Sequence, residues 1–240
     1  IINSVFLQKK YSFLHSTING KTKILNLKKE ILKLFDFIIN QQIESEFKVS
    51  KTEFAFLESV DDIKFKGFVD RIDENKDEFI IIDYKTGSTK IDYGEIVLCK
   101  KVQLLLYAKI LEQKLNKKCM GVFYLTVSDD YSASSKQKIF LNGIVVNENN
   151  MKNKLGNEKF FVSLDKFLLT RKQFEKLINF VFDKIKSAIN QIKNANFCET
   201  PLESENFCEC DYCDYSEICA KKEKKVIEFD ESMLKEILDD

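Results

Sequence analysis

Two β-type runs joined by a polar turn, Lys64 to Gly87 (KFKGFVDRIDENKDEFIIIDYKTG), constrain this chain more than any other stretch, because each sets an aspartate among apolar residues. A carboxylate in such company is costly unless it is paired or meets a cation. Ile63 to Ile72 and Phe79 to Tyr84 are rich in Phe, Ile and Val, and Glu74-Asn75-Lys76-Asp77-Glu78 interrupts them, which predicts an antiparallel hairpin. With a loop over Asn75 to Glu78, Glu74 faces Phe79, Ile72 faces Ile81, and Asp70 faces Asp83. Directly opposed side chains lie roughly 5 Å apart on one face. A slip of one residue would send them to opposite faces. Strand alternation puts Lys85 on the face of Asp83 and turns Tyr84 away.

Two carboxylates that close repel, so one gains proton affinity unless a cation compensates. A hard divalent ion with oxygen ligands is the simplest compensation, and Mg²⁺ commonly takes one or two protein carboxylates, leaving the rest of its shell to water and substrate phosphate. Lys85 beside such an ion suits phosphodiester hydrolysis, in which the metal acidifies the attacking water and the ammonium group orients it. The plainer reading is a surface Asp-Lys pair on an ordinary hairpin. Joint register, apolar context and the D-x-K spacing favour the site.

Gly67-Phe68-Val69-Asp70-Arg71-Ile72-Asp73, then Ile81-Ile82-Asp83-Tyr84-Lys85-Thr86-Gly87, then Gln103-Leu104-Leu105-Leu106-Tyr107-Ala108 together resemble the RecB-like branch of the PD-(D/E)XK nuclease superfamily. Within that branch they are most similar to the C-terminal nuclease domain of AddB-type helicase-nuclease subunits. The resemblance implies an α/β, restriction-endonuclease-like core with a central mixed sheet flanked by helices. It also implies Mg²⁺ or Mn²⁺ bound by Asp70, Asp83 and the Tyr84 backbone carbonyl, with Lys85 catalytic and Gln103 and Tyr107 completing the site. A histidine on an early helix reaches the metal in this family, and His15 is the only histidine in the chain.

At 240 residues and 44% hydrophobic, the chain can bury a core, and the reading divides it into a nuclease core over 1–195 and a Cys-rich acidic tail over 196–240. No apolar run reaches a membrane span and no signal peptide is visible, so a cytoplasmic protein is expected. The chain opens on Ile1 rather than methionine, which reads as a piece of a longer polypeptide. Zero net charge conceals an uneven distribution: residues 1–195 carry 33 basic and 24 acidic side chains, residues 196–240 carry 5 and 14. Residues 131–195 alone hold 12 basic against 5 acidic, which suits contact with a phosphate backbone or, equally, a solvated lysine surface. With only two arginines among the 38 basic residues, little base-specific readout is expected.

Along the chain, 1–46 reads as helical with a break near Asn19-Gly20, and Ile31, Leu34, Phe35, Ile38 and Ile39 fall at helical spacing. Gly20-Lys21-Thr22 is not a phosphate-binding loop, because His15 stands where that pattern needs glycine. The catalytic hairpin and helix occupy 50–127: a strand over Lys51 to Val60, the hairpin, a helix from about Ile96 to Leu115, and a strand over Cys119 to Val127. Gln103 and Tyr107, four apart, share one helix face, with Leu104, Ala108, Leu111 and Leu115 alongside. Lys138 to Val146 is a further strand candidate, Asn147 to Asn157 a loop, and the closing part over 165–195 contains an amphipathic helix from Arg171 to Lys193.

Cys198, Cys208, Cys210, Cys213 and Cys219 cluster near the end of a chain with no secretory signal, which favours metal over disulfides. Cys210-Asp-Tyr-Cys213 followed by Cys219 resembles the last three ligands of the iron-sulfur cluster in AddB-type nucleases, implying a [4Fe-4S] cluster. Its fourth ligand would be Cys198, Cys208 or a cysteine upstream of Ile1. Thiolate ligation alone leaves zinc or uncomplexed thiols open. Taken together, the resemblance predicts a metal-dependent DNA exonuclease acting on single-stranded DNA within a helicase-nuclease of double-strand-break repair and recombination. The helicase subunit or region would lie outside this chain. A catalytically inactive DNA-binding or scaffold module of the same fold is the alternative.

Overall fold

The computed structural model describes residues 2–86, 89–127, 139–148, 150–162, 164–197, 203–204, 207–208, 210, 213–219 and 229–239. Short helices α1 (Ile2–Phe6) and α2 (Ser12–His15) precede the long α3 (Ile18–Glu44). The break falls before Ile18 rather than at Asn19-Gly20, because Thr17 caps α3 by accepting the Gly20 N–H at 3.0 Å. Gly20 instead allows a close crossing: a Cβ there would meet the Leu14 carbonyl oxygen at 2.2 Å. Leu34, Phe37 and Ile38 of α3 pack on the core, whereas Phe35 and Ile39, expected on that side, are exposed.

Next come β1 (Lys48–Val60), β2 (Ile63–Glu74) and β3 (Glu78–Thr86), then α4 (Tyr93–Val97) and α5 (Gln103–Leu115), then β4 (Lys118–Val127) and β5 (Ile139–Val146). The helix expected from Ile96 to Leu115 is thus two, interrupted around Cys99, whose backbone is left-handed at φ 58°. The predicted loop over 147–157 contains α6 (Met151–Leu155), and two-residue β6 (Leu168–Leu169) leads into α7 (Arg171–Lys193). That last helix has the predicted bounds, opened by a Thr170–Gln173 capping box. After short strands β7 (Glu203–Ser204) and β8 (Phe207–Cys208), α8 (Glu231–Leu238) packs Ile237 and Leu238 on the core and lies against α4 and α7.

Six strands form one sheet in sequence order, β1 to β6. Pairing is antiparallel for β1–β2, β2–β3 and β4–β5, and parallel for β3–β4 and β5–β6. The α4–α5 crossover supplies the connection a parallel pair requires. Phe79 to Ile82 on central β3 are fully buried, as befits a strand covered on both faces. The mixed α/β core expected from the sequence is the observed one. Among the described residues, no helix is long and apolar enough to cross a membrane.

Candidate active site

The β2–β3 ladder has the predicted register, with Glu74 opposite Phe79, Ile72 opposite Ile81 and Arg71 opposite Ile82. It stops there, one step short of Asp70 and Asp83. Instead of continuing the ladder, Asp70 turns its carboxylate onto β3 and accepts the Tyr84 backbone N–H at 2.8 Å. β1 is irregular at the same level: Glu53, which lies between the Thr52–Arg71 and Phe54–Val69 pairs and so opposite Asp70, is left-handed at φ 48°. Strand pairing therefore yields to side-chain contact where the first carboxylate emerges.

Asp83 sits at the carboxyl end of a central strand, where ligands collect in open α/β sheets. Its side chain is 7% exposed, and Lys85 Nζ stands 2.7 Å from its Oδ2. That contact is close as an ion pair yet out of line for a hydrogen bond, leaving a buried carboxylate oxygen without an aligned donor. Burial holds the Asp83 carboxyl above its ordinary range; Lys85 pulls it down, and the like charge of Asp70 pushes it further up. Two neighbouring carboxylates, one of them with a buried oxygen short of aligned donors, supply the oxygen ligands that suit a hard cation. The Lys85 ammonium also lies 5.7 Å from the centre of the Tyr124 ring, which β4 brings alongside Asp83. Tyr124 itself is pushed up to about 12 by burial and by the charges of Asp83 and Glu95.

The other candidates divide. Gln103 Nε2 donates to Tyr107 Oη at 2.9 Å, so the two residues share one helix face as expected. The Tyr107 ring packs edge-on against Phe56, and Gly67 leaves room for both: a Cβ there would meet Phe56 at 2.6 Å and Tyr107 at 3.1 Å. His15 ends α2 and its Nε2 is 2.8 Å from the Phe6 carbonyl oxygen, a bond within the N-terminal helices. Among the described residues no group of three or more His, Cys, Asp or Glu is arranged to hold a metal. Cys198 and the Cys208 side chain lie outside the described residues, while Cys210, Cys213 and Cys219 are described and form no disulfide. Gly87 also lies outside them. Several of the basic side chains between 131 and 195 are engaged with carboxylates of the chain, Lys154 with Glu78, Lys159 with Glu44 and Arg171 with Glu112.

On the reverse of β2 lies an arrangement the sequence reading passed over. Arg71 and Asp73 are both buried, and the guanidinium holds the carboxylate bidentately, Nε to Oδ1 at 2.7 Å and Nη2 to Oδ2 at 2.5 Å. Gln41 and Gln42, at the end of α3, complete the network. The available signal was one of only two arginines placed two residues from an acid inside an apolar run.

The fold and the Asp70–Asp83–Lys85 arrangement define a nuclease-type core, and the sequence profile of the PD-(D/E)XK nuclease superfamily matches residues 10–220. The chain belongs to that superfamily. Its relatives include proteins named as subunits of an ATP-dependent helicase/deoxyribonuclease. The Clostridium kluyveri protein is 24% identical over 91% of this chain and 23% of its own length. The Clostridium tetani protein is 27% identical over 88% and 22%, and a Clostridium perfringens protein 27% over 84% and 23%. The chain thus spans less than a quarter of the length of these relatives. A solved Eubacterium rectale protein, named provisionally as an exonuclease, aligns with TM-score 0.43 and 12% identity over 90% of this chain and 65% of its own.

Proposed function

We propose that this chain is a divalent-metal-dependent deoxyribonuclease domain, an exonuclease that hydrolyses DNA as one strand leaves a helicase motor borne elsewhere in the same cytoplasmic assembly for break repair and recombination. The observation that carries the reading is the buried, donor-poor Asp83 oxygen between Asp70 and Lys85. Asp70, Asp83 and the Tyr84 carbonyl would hold Mg²⁺ or Mn²⁺, which when bound acidifies water and stabilises charge on phosphate oxygens. His15 holds the Phe6 carbonyl through Nε2, so it would join them through Nδ1 or after that bond opens.

Lys85, anchored at Asp83 and beside Tyr124, is the positive group that remains at the site through the reaction. Water forms a bond to phosphorus and gives up a proton to solvent, the bond to the leaving sugar oxygen breaks and that oxygen takes up a proton from solvent, and the Lys85 ammonium offsets the negative charge that gathers on the phosphoryl oxygens. Gln103 and Tyr107 form a polar face for orienting substrate and water. The names of the relatives support DNA as substrate and a helicase as companion.

Mn²⁺-dependent degradation of end-labelled single-stranded DNA by wild type, Asp83→Ala and Lys85→Ala tests this. Each substitution is expected to lower kcat by about 10²–10³-fold. Equal cleavage by all three would remove the assigned site. A non-catalytic DNA-binding module of the same fold is the second reading, favoured by the bond that engages His15; carboxylate-independent DNA binding with no cleavage would select it.

For the tail, we propose a [4Fe-4S] cluster on Cys210, Cys213 and Cys219 with Cys198, Cys208 or a cysteine outside this chain as fourth ligand. Iron and sulfide analysis of anaerobically purified protein, with its visible spectrum, tests it; stoichiometric zinc without iron would overturn it.

A further inference from the structure

Behind the two carboxylates, the residues that follow them in sequence share the reverse face of the sheet. Arg71 follows Asp70 and Tyr84 follows Asp83, and strand alternation sends both to the reverse face of the sheet. There the Arg71 guanidinium grips Asp73 bidentately and donates to Gln41 Oε1 at 2.9 Å, and it interacts electrostatically with Tyr84. Gln42 donates to Asp73 Oδ2 at 2.9 Å and to the Phe47 carbonyl at 3.2 Å, and its own amide oxygen accepts the Val49 N–H at 2.9 Å. One end of α3 is thereby fastened to both β1 and β2.

Buried ion pairs are weak contributors to stability: replacing one by apolar residues of similar volume is often neutral or stabilising. What a bidentate guanidinium adds is a fixed direction, because its planar fork accepts few orientations of its partners. That direction matters here because the β2–β3 ladder ends at the Arg71–Ile82 pair. Past that point, the Tyr84 N–H on Asp70 joins the strands on the front, while on the back the last rung, Arg71–Ile82, is braced by the Arg71 bonds to Asp73 and Gln41.

We infer that Arg71, braced by Asp73, Gln41 and Gln42, is a positioning residue that sets the spacing and direction of Asp70 and Asp83 for metal binding and catalysis. It touches neither metal nor substrate. Its effect passes through the adjoining Asp70 backbone on one strand and the Tyr84 side chain on the other. The inference rests on the nuclease reading above.

Three measurements on the same preparations test it: thermal unfolding, Mn²⁺ affinity by calorimetry, and kcat and KM on single-stranded DNA. Arg71→Met/Asp73→Leu is expected to unfold at or above the wild-type temperature. Its Mn²⁺ affinity and kcat should nonetheless fall about 10- to 100-fold, as for loss of partners that orient metal ligands, with KM within about twofold. Tyr84→Phe leaves the carbonyl and the buried pair in place, so it remains decisive where the double variant does not fold. It should lower both quantities by about threefold or more, since small misplacements of reacting groups are amplified in rate. Arg71→Lys, which keeps the charge but not the fork, should fall between them. Wild-type Mn²⁺ affinity and kcat in a folded Arg71→Met/Asp73→Leu, or in Tyr84→Phe, would overturn the inference. Absence of Mn²⁺-dependent cleavage in the wild type would instead overturn the nuclease reading itself, and Asp83→Ala separates the two cases.

Discussion

The two faces of β2 treat their carboxylates in opposite ways. On the reverse, Asp73 is buried and saturated: both oxygens accept from Arg71, and one also accepts from Gln42. On the front, Asp83 on the neighbouring strand is almost as deeply buried yet has one oxygen without an aligned donor, a lysine nearby and a second carboxylate that raises its proton affinity. A residue whose electrostatic needs are met inside the protein is a structural part. One whose needs are only partly met costs stability and is the group a proposed ligand would satisfy.

Removing the structural acid should have the largest effect. Asp73→Ala leaves the Arg71 guanidinium buried without its partner, which is expected to cost about 3–5 kcal/mol. Urea unfolding should show the midpoint falling with an unchanged slope. Should Asp73→Ala unfold like Asp70→Ala, the contrast between the faces would be lost.

Next in size is Gly67→Ala. The new methyl meets the Phe56 ring and presses on Tyr107, so overpacking of about 1–3 kcal/mol is expected, together with weaker cleavage as Tyr107 is displaced. Trimming the neighbour, Gly67→Ala/Phe56→Leu, should restore part of both.

The turn end of the hairpin supplies a pH-dependent case. Burial acts against the Glu74 carboxylate, but Lys117, Lys51 and Ser50 outweigh it and hold it at about 2, below the ordinary 4.5. A depressed carboxyl stabilises the fold above its unfolded value and loses that contribution as pH falls from about 4.5 to about 2. Glu74→Gln should therefore destabilise the protein at pH 7 by on the order of 1 kcal/mol. It should also flatten the acid limb of a stability–pH curve, and parallel limbs in the two proteins would refute the assignment.

The smallest effect has the opposite sign. Without divalent ion, Asp83→Asn removes a charge that burial and Asp70 disfavour, so a gain of up to about 1 kcal/mol, or about 2–4 °C in Tm, is expected alongside lost cleavage. A loss of stability would mean that the Lys85 contact outweighs the burial.

Local patterning was sufficient for much of this molecule. The Phe, Ile and Val content of 79–84, the polar interruption before it and the even loop gave the register that places Asp70 and Asp83 at one level, and the period of apolar residues from Arg171 gave α7 with its bounds. Those features follow from neighbours a few residues apart, where period and turn length act directly. Misreadings arose where distant chain intervened. Phe35 and Ile39 have the spacing of a buried stripe, yet α3 rolls to bring Gln41 and Gln42 onto a buried ion pair some 30 residues away. The helix expected from Ile96 splits at Cys99, whose left-handed backbone no local propensity favours.

Sequence by itself determined the hairpin and its register, from which alternation assigns Asp70, Asp83 and Lys85 to one face. Only the tertiary structure decided how each carboxylate is treated. The ladder ends one pair early, Asp70 turns to the Tyr84 N–H, Asp83 keeps an oxygen without an aligned donor, and α3 saturates Asp73 from behind. The physical reason is that the free energy of a buried charge depends on the donors brought to it from elsewhere in the chain, and no local pattern encodes which of them arrive.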